Sequence, residues 1–109
     1  MFVKEINSQE LARWLEAETP PQLIDVRTPQ EMAQASIPKG KPLPLSVLPL
    51  RLHEVPKDEK VVFYCRTGAR SAQACMYLTQ QGYNNVYNLQ GGIVNWVRHG
   101  LPVVPMIFN

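Results

Sequence analysis

The sequence predicts a single α/β domain built on an open, mainly parallel sheet with helices on both faces. Three observations lead there. Strand-like runs alternate along the chain with segments of helical periodicity, the order that parallel crossover units produce. Two of those runs, Leu23-Ile24-Asp25-Val26 and Val61-Val62-Phe63-Tyr64, are apolar at nearly every position, as strands buried on both faces are. And 109 residues, 45% of them hydrophobic and 18% charged, suffice for one core but not for two. Residues 1–109 are therefore read as one domain, with 101–109 an apolar C-terminal tail.

Residues 2–6 alternate apolar and polar side chains and read as the first strand. Asn7 and Glu10 then stand at the spacing of a helix N-cap and its capping-box partner. Leu11, Trp14 and Leu15 recur at three and four residues along a helix expected over 8–17, which Thr19-Pro20-Pro21 stops. Leu23 opens the second strand, and Asp25 falls near its end. Thr28 as N-cap, Pro29 at the first helical position and Glu31 in the first turn open a short second helix. Five of the ten prolines fall in residues 38–56, yet Leu43, Leu45, Val47, Leu48, Leu50 and Leu52 make that stretch too apolar for a solvated linker. A packed irregular segment is expected, with one brief helix over 48–54 and Pro49 in its first turn.

Residues 60–65 form the clearest strand, β-branched and aromatic after the charged turn Lys57-Asp58-Glu59. Residues 66–70 read as a loop and 71–81 as a helix that buries Ala74, Tyr77 and Leu78, closed by Gly82. A last strand over 86–89, a turn at Gly91-Gly92 and a last helix over 93–99, ended by Gly100 and Pro102, complete the domain.

Charge and composition exclude several function classes. Net charge is +2, and the eleven lysines and arginines are scattered, so no nucleic-acid partner is expected. The first residues, Met-Phe-Val-Lys-Glu-Ile-Asn, carry charge where a secretory leader would be unbroken and apolar, and nowhere do about 18 apolar residues run together. The reading is a cytoplasmic protein without a membrane partner. Two cysteines ten positions apart, with no histidine nearby, suit neither a disulfide scaffold nor a zinc site. No metal or cofactor is implied, the oligomeric state is not encoded in any pattern, and at least one cysteine is free for chemistry.

Cys65 is that cysteine. It falls at the C-terminal end of the strongest strand, before a short loop and a helix, and this edge of an open α/β sheet is where ligands bind. Gly68 permits a positive φ, so successive backbone N–H groups can turn inward as an anion-binding nest at the positive end of the following helix. Arg66 and Arg70 add formal charge, and each of these features favours thiolate over thiol. The combination predicts a reactive nucleophile with a cradle for an anionic sulfur substrate. A buried, inert cysteine would need neither the arginines nor the glycine.

The string Cys65-Arg66-Thr67-Gly68-Ala69-Arg70-Ser71 resembles the active-site loop of the rhodanese family of sulfurtransferases. Leu23-Ile24-Asp25-Val26-Arg27-Thr28-Pro29-Gln30-Glu31 is similar to that family's Asp-Val-Arg strand end and following helix, and Gly91-Gly92-Ile93-Val94-Asn95-Trp96 to its Gly-Gly-x-x-x-Trp signature. The motifs occur in the family's order over nearly the whole chain. The resemblance implies a rhodanese-like fold with the sulfur bound on Cys65 and held by backbone N–H groups of Arg66, Thr67, Gly68, Ala69 and Arg70. It implies sulfur taken from a small anionic donor such as thiosulfate or from a protein persulfide, and passed to cyanide, a thiol or a carrier protein. Asp25, Arg27, Glu31 and Ser71 are read as supporting residues, with Arg27 expected to pair with Glu31 four residues on. Trp96 is read as a core anchor. Two features depart from the family pattern: Ser36 stands where histidine is usual, and the chain continues beyond Leu101-Pro102-Val103 into an apolar tail expected to pack on its own domain.

Two other functions compete. Cysteine-dependent phosphatases also set a cysteine before a backbone nest, but in a Cys-x5-Arg loop; here Arg70 follows Cys65 at five positions and the sixth is Ser71, a smaller ring that suits sulfur better than a phosphoryl group. A non-catalytic rhodanese-fold binding module is the alternative from outside enzymology, and Cys65 with its two arginines argues against it.

Overall fold

The two all-apolar runs become the middle of the sheet, because only there are both faces covered. In chain order the elements of the computed structural model, which describes residues 2–105, are β1 (Glu5–Ile6), α1 (Ser8–Leu15), β2 (Gln22–Asp25), α2 (Pro29–Gln34), β3 (Lys41–Pro42), a 3-10 segment (Leu45–Glu54), β4 (Val61–Tyr64), α3 (Ala69–Gln80), β5 (Val86–Leu89) and α4 (Gly92–Arg98). The strands lie side by side as β1-β5-β4-β2-β3. Every pairing is parallel, with Phe63 of β4 opposite Ile24 on one side and Asn88 on the other. The connection from β2 runs outward to β3 and that from β4 outward to β5, so the sheet's order reverses beside β4 at its C-terminal edge.

Alternate residues of β4 feed two cores. Val61, Phe63 and Cys65 face α3 and the 3-10 segment, packing with Ala74, Cys75, Leu78 and Leu48. Val62 and Tyr64 face the other way, with Leu11 of α1 and Ile93 and Trp96 of α4. Trp96 is buried, as a core anchor should be, and its indole N–H donates to the carbonyl of Pro102 at 2.8 Å. The start of the tail is thereby held. Val104 then makes an isolated antiparallel bridge with Ser36, although Val103 and Val104 keep exposed apolar surface, so the backbone of the tail is held at Val104; residues 106–109 lie outside the described residues.

Several boundaries differ from the sequence reading. β1 covers only the last two residues of 2–6, since Phe2 stands 81% exposed beyond the sheet edge. β3 was not anticipated: two residues, one of them proline, are too short for a periodicity, and an edge strand tolerates the missing N–H. The proline-rich segment winds as 3-10 turns over Leu45–Glu54, longer than the brief helix expected and broken at Arg51 (φ −127°, ψ 29°). Pro49 inside it cannot donate a helical hydrogen bond, which favours short successive turns over a continuous α-helix. α3 begins at Ala69 with Gly68 as N-cap, so Arg70 belongs to the helix and not to the loop. Among the described residues, no helix is long and apolar enough to cross a membrane.

Phe63 has no exposed surface and sits at the centre of the sheet. Phe63→Ala should cost about 3–5 kcal/mol of stability by urea denaturation. Met76→Ala on the solvent side of α3 should cost under about 1 kcal/mol.

Candidate active site

β4 delivers Cys65 to the sheet's C-terminal edge with its side chain turned under the N-terminus of α3, where it is 1% exposed. A thiolate in such a place needs donors. The N–H of Gly68 points at Sγ from 3.1 Å and the Ser71 hydroxyl stands 3.4 Å away. Burial, the largest single influence, pushes the thiol up. The Ser71 hydroxyl and the backbone N–H groups of Ser71, Gly68 and Thr67 together outweigh it and bring Cys65 below the ordinary thiol range. The leading contributions that lower it are thus hydrogen bonds from Ser71 and the loop backbone, the part of the expected nest that acts on the sulfur directly.

The loop can point its N–H groups inward because its carbonyls are held elsewhere. Gly68 adopts φ +108°, open to glycine and strained for other residues. The amide of Ile93 donates to the carbonyl of Cys65 at 3.0 Å and that of Val94 to Arg66 at 3.1 Å, so the first turn of α4 fastens the back of the loop. Gly92 makes this approach possible: a Cβ there would lie 2.4 Å from the Arg66 oxygen and 2.5 Å from that of Cys65. The Gly-Gly signature is thus a packing requirement of the cysteine loop.

Behind Ser71 stands Asn88, a buried polar residue of β5 that the sequence reading passed over. Its Oδ1 accepts from the Ser71 hydroxyl, and its amide donates to Gly68 O at 3.2 Å and to Glu5 at 2.9 Å. A polar side chain inside the otherwise apolar run Val86-Tyr87-Asn88-Leu89 was the available signal.

The supporting carboxylates are paired differently from the expectation. Arg27 does not pair with the Glu31 side chain. It pairs with Asp25, fully buried, at 2.8 Å, and reaches only the backbone oxygen of Glu31, at 3.5 Å. The reason is local geometry: Arg27 lies in the bend between β2 and α2, outside the helix, and both its backbone N–H and its Nε donate to Asp25 Oδ1 at 3.0 Å. A buried carboxylate also demands the nearest cation. The Arg27 guanidinium continues to the carbonyl of Ala35 (2.7 Å) and to the Ser36 hydroxyl (3.4 Å), and Ser36 in turn donates to Met32 O at 2.8 Å. The segment with serine in place of histidine is ordered by these bonds.

Glu31 instead accepts from the backbone N–H and hydroxyl of Thr28, both at 3.1 Å, and receives Arg70 in a two-pronged ion pair of 2.7 and 2.8 Å. The Arg70 hydrogen bonds, ahead of any other influence, hold the Glu31 carboxyl down to about 2. Arg70 is therefore engaged. Arg66 is exposed and lines an open groove of about 390 Å³ with Arg27, Glu31, Val97 and Arg98. A second groove of about 310 Å³, between Val26, Leu45 and Arg70, flanks the loop's other side. A concavity of about 500 Å³ beside Trp14 and Lys60 lies at the opposite edge of the sheet and brings none of these groups together. Of the residues singled out from sequence, Cys65, Thr67, Gly68 and Ser71 meet at the sulfur; Ala69 begins α3; Arg66, Arg70 and Glu31 form the charged rim, with the Arg27–Asp25 pair buried behind it. Cys75 is buried behind α3's face, and burial pushes its thiol up to about 12.

Known proteins share this chain's pattern. The family model described as Rhodanese-like domain matches residues 7–99. A sulfurtransferase of Allochromatium vinosum is 54% identical over 103 residues, covering 94% of this chain and 96% of that protein. The crystal structure of a rhodanese-related protein from Thermoplasma volcanium superposes with a TM-score of 0.84 at 34% identity, over 93% of this chain and 97% of that one. That of a thiosulfate sulfurtransferase from Pseudomonas aeruginosa gives 0.85 at 26% identity, over 94% of this chain and 20% of the longer one.

The hydrogen bonds to Sγ make a checkable statement about pH. The rate of Cys65 alkylation by iodoacetamide should titrate with a midpoint below that of a free cysteine peptide. Ser71→Ala, which removes a donor to the charged form, should move the midpoint upward and slow alkylation at pH 7 several-fold. Peptide mapping should find Cys75 unmodified throughout.

Proposed function

The chain belongs to the rhodanese-like domain family, and we propose that it acts as a sulfurtransferase carrying one sulfur atom as a persulfide on Cys65. The observation that carries this reading is the convergence of the Gly68 and Thr67 amides and the Ser71 hydroxyl on Sγ, which keeps a nucleophilic thiolate at the sheet edge. The relative named a sulfurtransferase, alike over nearly its full length, supports sulfur transfer in general. The neighbour named for thiosulfate supports that anion as one donor.

In the proposed cycle the Cys65 thiolate attacks the outer sulfur of the donor. A new S–S bond forms to Cys65 while the donor's own S–S bond breaks, its electron pair leaving with sulfite from thiosulfate or with the donor thiolate from a protein persulfide. The terminal sulfur of the persulfide carries the negative charge directly after attack on thiosulfate, and after loss of its proton when the donor is RSSH; the backbone N–H groups of residues 66–70 at the head of α3 are the donors in its reach. An acceptor, whether cyanide, a thiol or a sulfur-carrier protein, takes that sulfur, and the thiolate returns. Donor and acceptor use one site in turn, which gives ping-pong kinetics. The two free cysteines accord with the reducing cytoplasm. A phosphatase would need the loop arginine to clamp phosphoryl oxygens, and Arg70 is bound to Glu31 instead.

Incubation with thiosulfate or with a persulfidated donor protein should add the mass of one sulfur atom at Cys65, reversed by cyanide or excess thiol. Cys65→Ser should abolish the gain and turnover while the protein stays folded. Cys75→Ser should retain most of both, since that thiol is buried and protonated. Absence of sulfur uptake from both donors, with Cys65 reduced and the protein folded, would replace this reading with that of a binding module.

A further inference from the structure

The Arg70–Glu31 ion pair stands between the two grooves that flank the cysteine loop. Arg70 lines one of them and Glu31 the other. It joins the first turn of α2 to the first turn of α3, across the gap between β2 and β4, and each side chain is about one-third exposed, at 35% and 28%. A donor that enters by either groove lies against one member of this pair.

The charge that a donor encounters follows from the neighbours. Arg27, Arg66, Arg70 and Arg98 bring four positive charges to the two grooves, and Asp25 and Glu31 bring two negative ones. Two positive charges are left over, enough for the thiolate and one further negative charge. Attack on thiosulfate gathers three negative charges at the site, one from the thiolate and two from the donor. Attack on a protonated persulfide, RSSH, gathers only one: the Cys65 thiolate bonds to the outer sulfur, RS⁻ departs, and the proton stays on the sulfur transferred. The balance of fixed charge therefore suits the second reaction and leaves the first undercompensated.

Glu31 makes the difference, and its charge is separable from its structural work. The capping box with Thr28 needs an acceptor oxygen at Glu31, which the amide of glutamine also supplies. The carboxylate's charge adds nothing to that cap beyond dipole complementarity, yet it neutralises Arg70 of α3, which lines the groove beside Leu45. With the carboxyl held down to about 2, the neutralisation persists at any working pH.

We propose that Glu31 is a specificity-determining residue: by engaging Arg70 it screens the site against dianionic donors such as thiosulfate and directs Cys65 toward persulfides of low charge, on a small thiol or a protein. This deepens the sulfurtransferase reading and rests on it. Glu31 acts through Arg70 and not on the reacting sulfur, so its test must read charge discrimination and not rate alone. Iodoacetate and iodoacetamide differ in little but charge, and the ratio of their alkylation rates at Cys65, taken at one pH, cancels any change in thiolate fraction.

At low salt, Glu31→Gln should raise the iodoacetate-to-iodoacetamide ratio about tenfold and speed sulfur uptake from thiosulfate in parallel. Arg70→Gln, which leaves Glu31 uncompensated, should lower the ratio, and it decides the matter if the first variant does not fold. A ratio unmoved in the folded variants, with sulfur uptake intact, overturns the inference and spares the sulfurtransferase reading. A ratio that rises in Glu31→Gln while no variant, nor the wild type, takes sulfur from thiosulfate or glutathione persulfide sinks the sulfurtransferase reading and leaves the charge screen standing.

Discussion

A sulfur at 1% exposure whose acidity is nonetheless raised is the constraint around which the rest of this structure is arranged. Burial alone would protonate Cys65, as it does Cys75 ten residues later. What separates the two is the backbone above them. Cys75 lies inside α3, where every nearby N–H is committed to the helix; Cys65 lies beneath the helix's first turn, where N–H groups have no helical partner. Those amides serve only if the loop's carbonyls face away, and they face away because Ile93 and Val94 at the start of α4 bind them. The Gly91-Gly92 turn, 26 residues downstream of the cysteine, is thereby as much a part of the site as Gly68.

The second requirement is a fixed entrance. Asp25 and Arg27 close on each other at the end of β2, and the guanidinium reaches on to Ala35 and Ser36, binding the crossover to the strand. Tyr64, the last residue of β4, accepts from the Ile37 amide at 3.0 Å on the same side. The Ser36 amide and carbonyl then pair with Val104, and the tail's first residues are pinned by Trp96. One buried ion pair therefore organises the chain from β2 to the tail. Such a pair adds little net stability, since desolvation offsets most of its attraction, but removing one partner leaves an uncompensated buried charge.

How much of this was legible in the sequence depended on the range of the interaction. The cysteine loop and both capping boxes are local motifs, and Cys65, Gly68, Asn7 with Glu10, and Thr28 with Glu31 stand as their spacing implied. Arg27 pairs otherwise than a helical i, i+4 spacing implies because it sits in the bend before α2, where the buried Asp25 two positions back already faces its backbone N–H and guanidinium. Arg70's partner could not be read from pattern: Glu31 is 39 residues away and meets it only because β2 and β4 are neighbours. Asn88 was hidden for the same reason, since its role depends on β5 lying beside β4. The 3-10 path of the proline-rich segment followed leucine content that the pattern saw and a winding that it did not.

The division of labour between neutral and charged groups has a consequence over the proposed persulfide cycle. As thiolate, the charge rests on Sγ; as persulfide, it rests on a sulfur about 2 Å farther out, and Sγ becomes neutral. A guanidinium aimed at Sγ would stabilise the first state and resist leaving it. Amides and a hydroxyl are weaker and more evenly spread partners, and a row of them along the loop can serve the charge in either place without a large preference. Keeping Arg70 on Glu31 and holding the sulfur by backbone dipoles thus limits the depth of each resting state, which a carrier that must both accept and release its cargo requires.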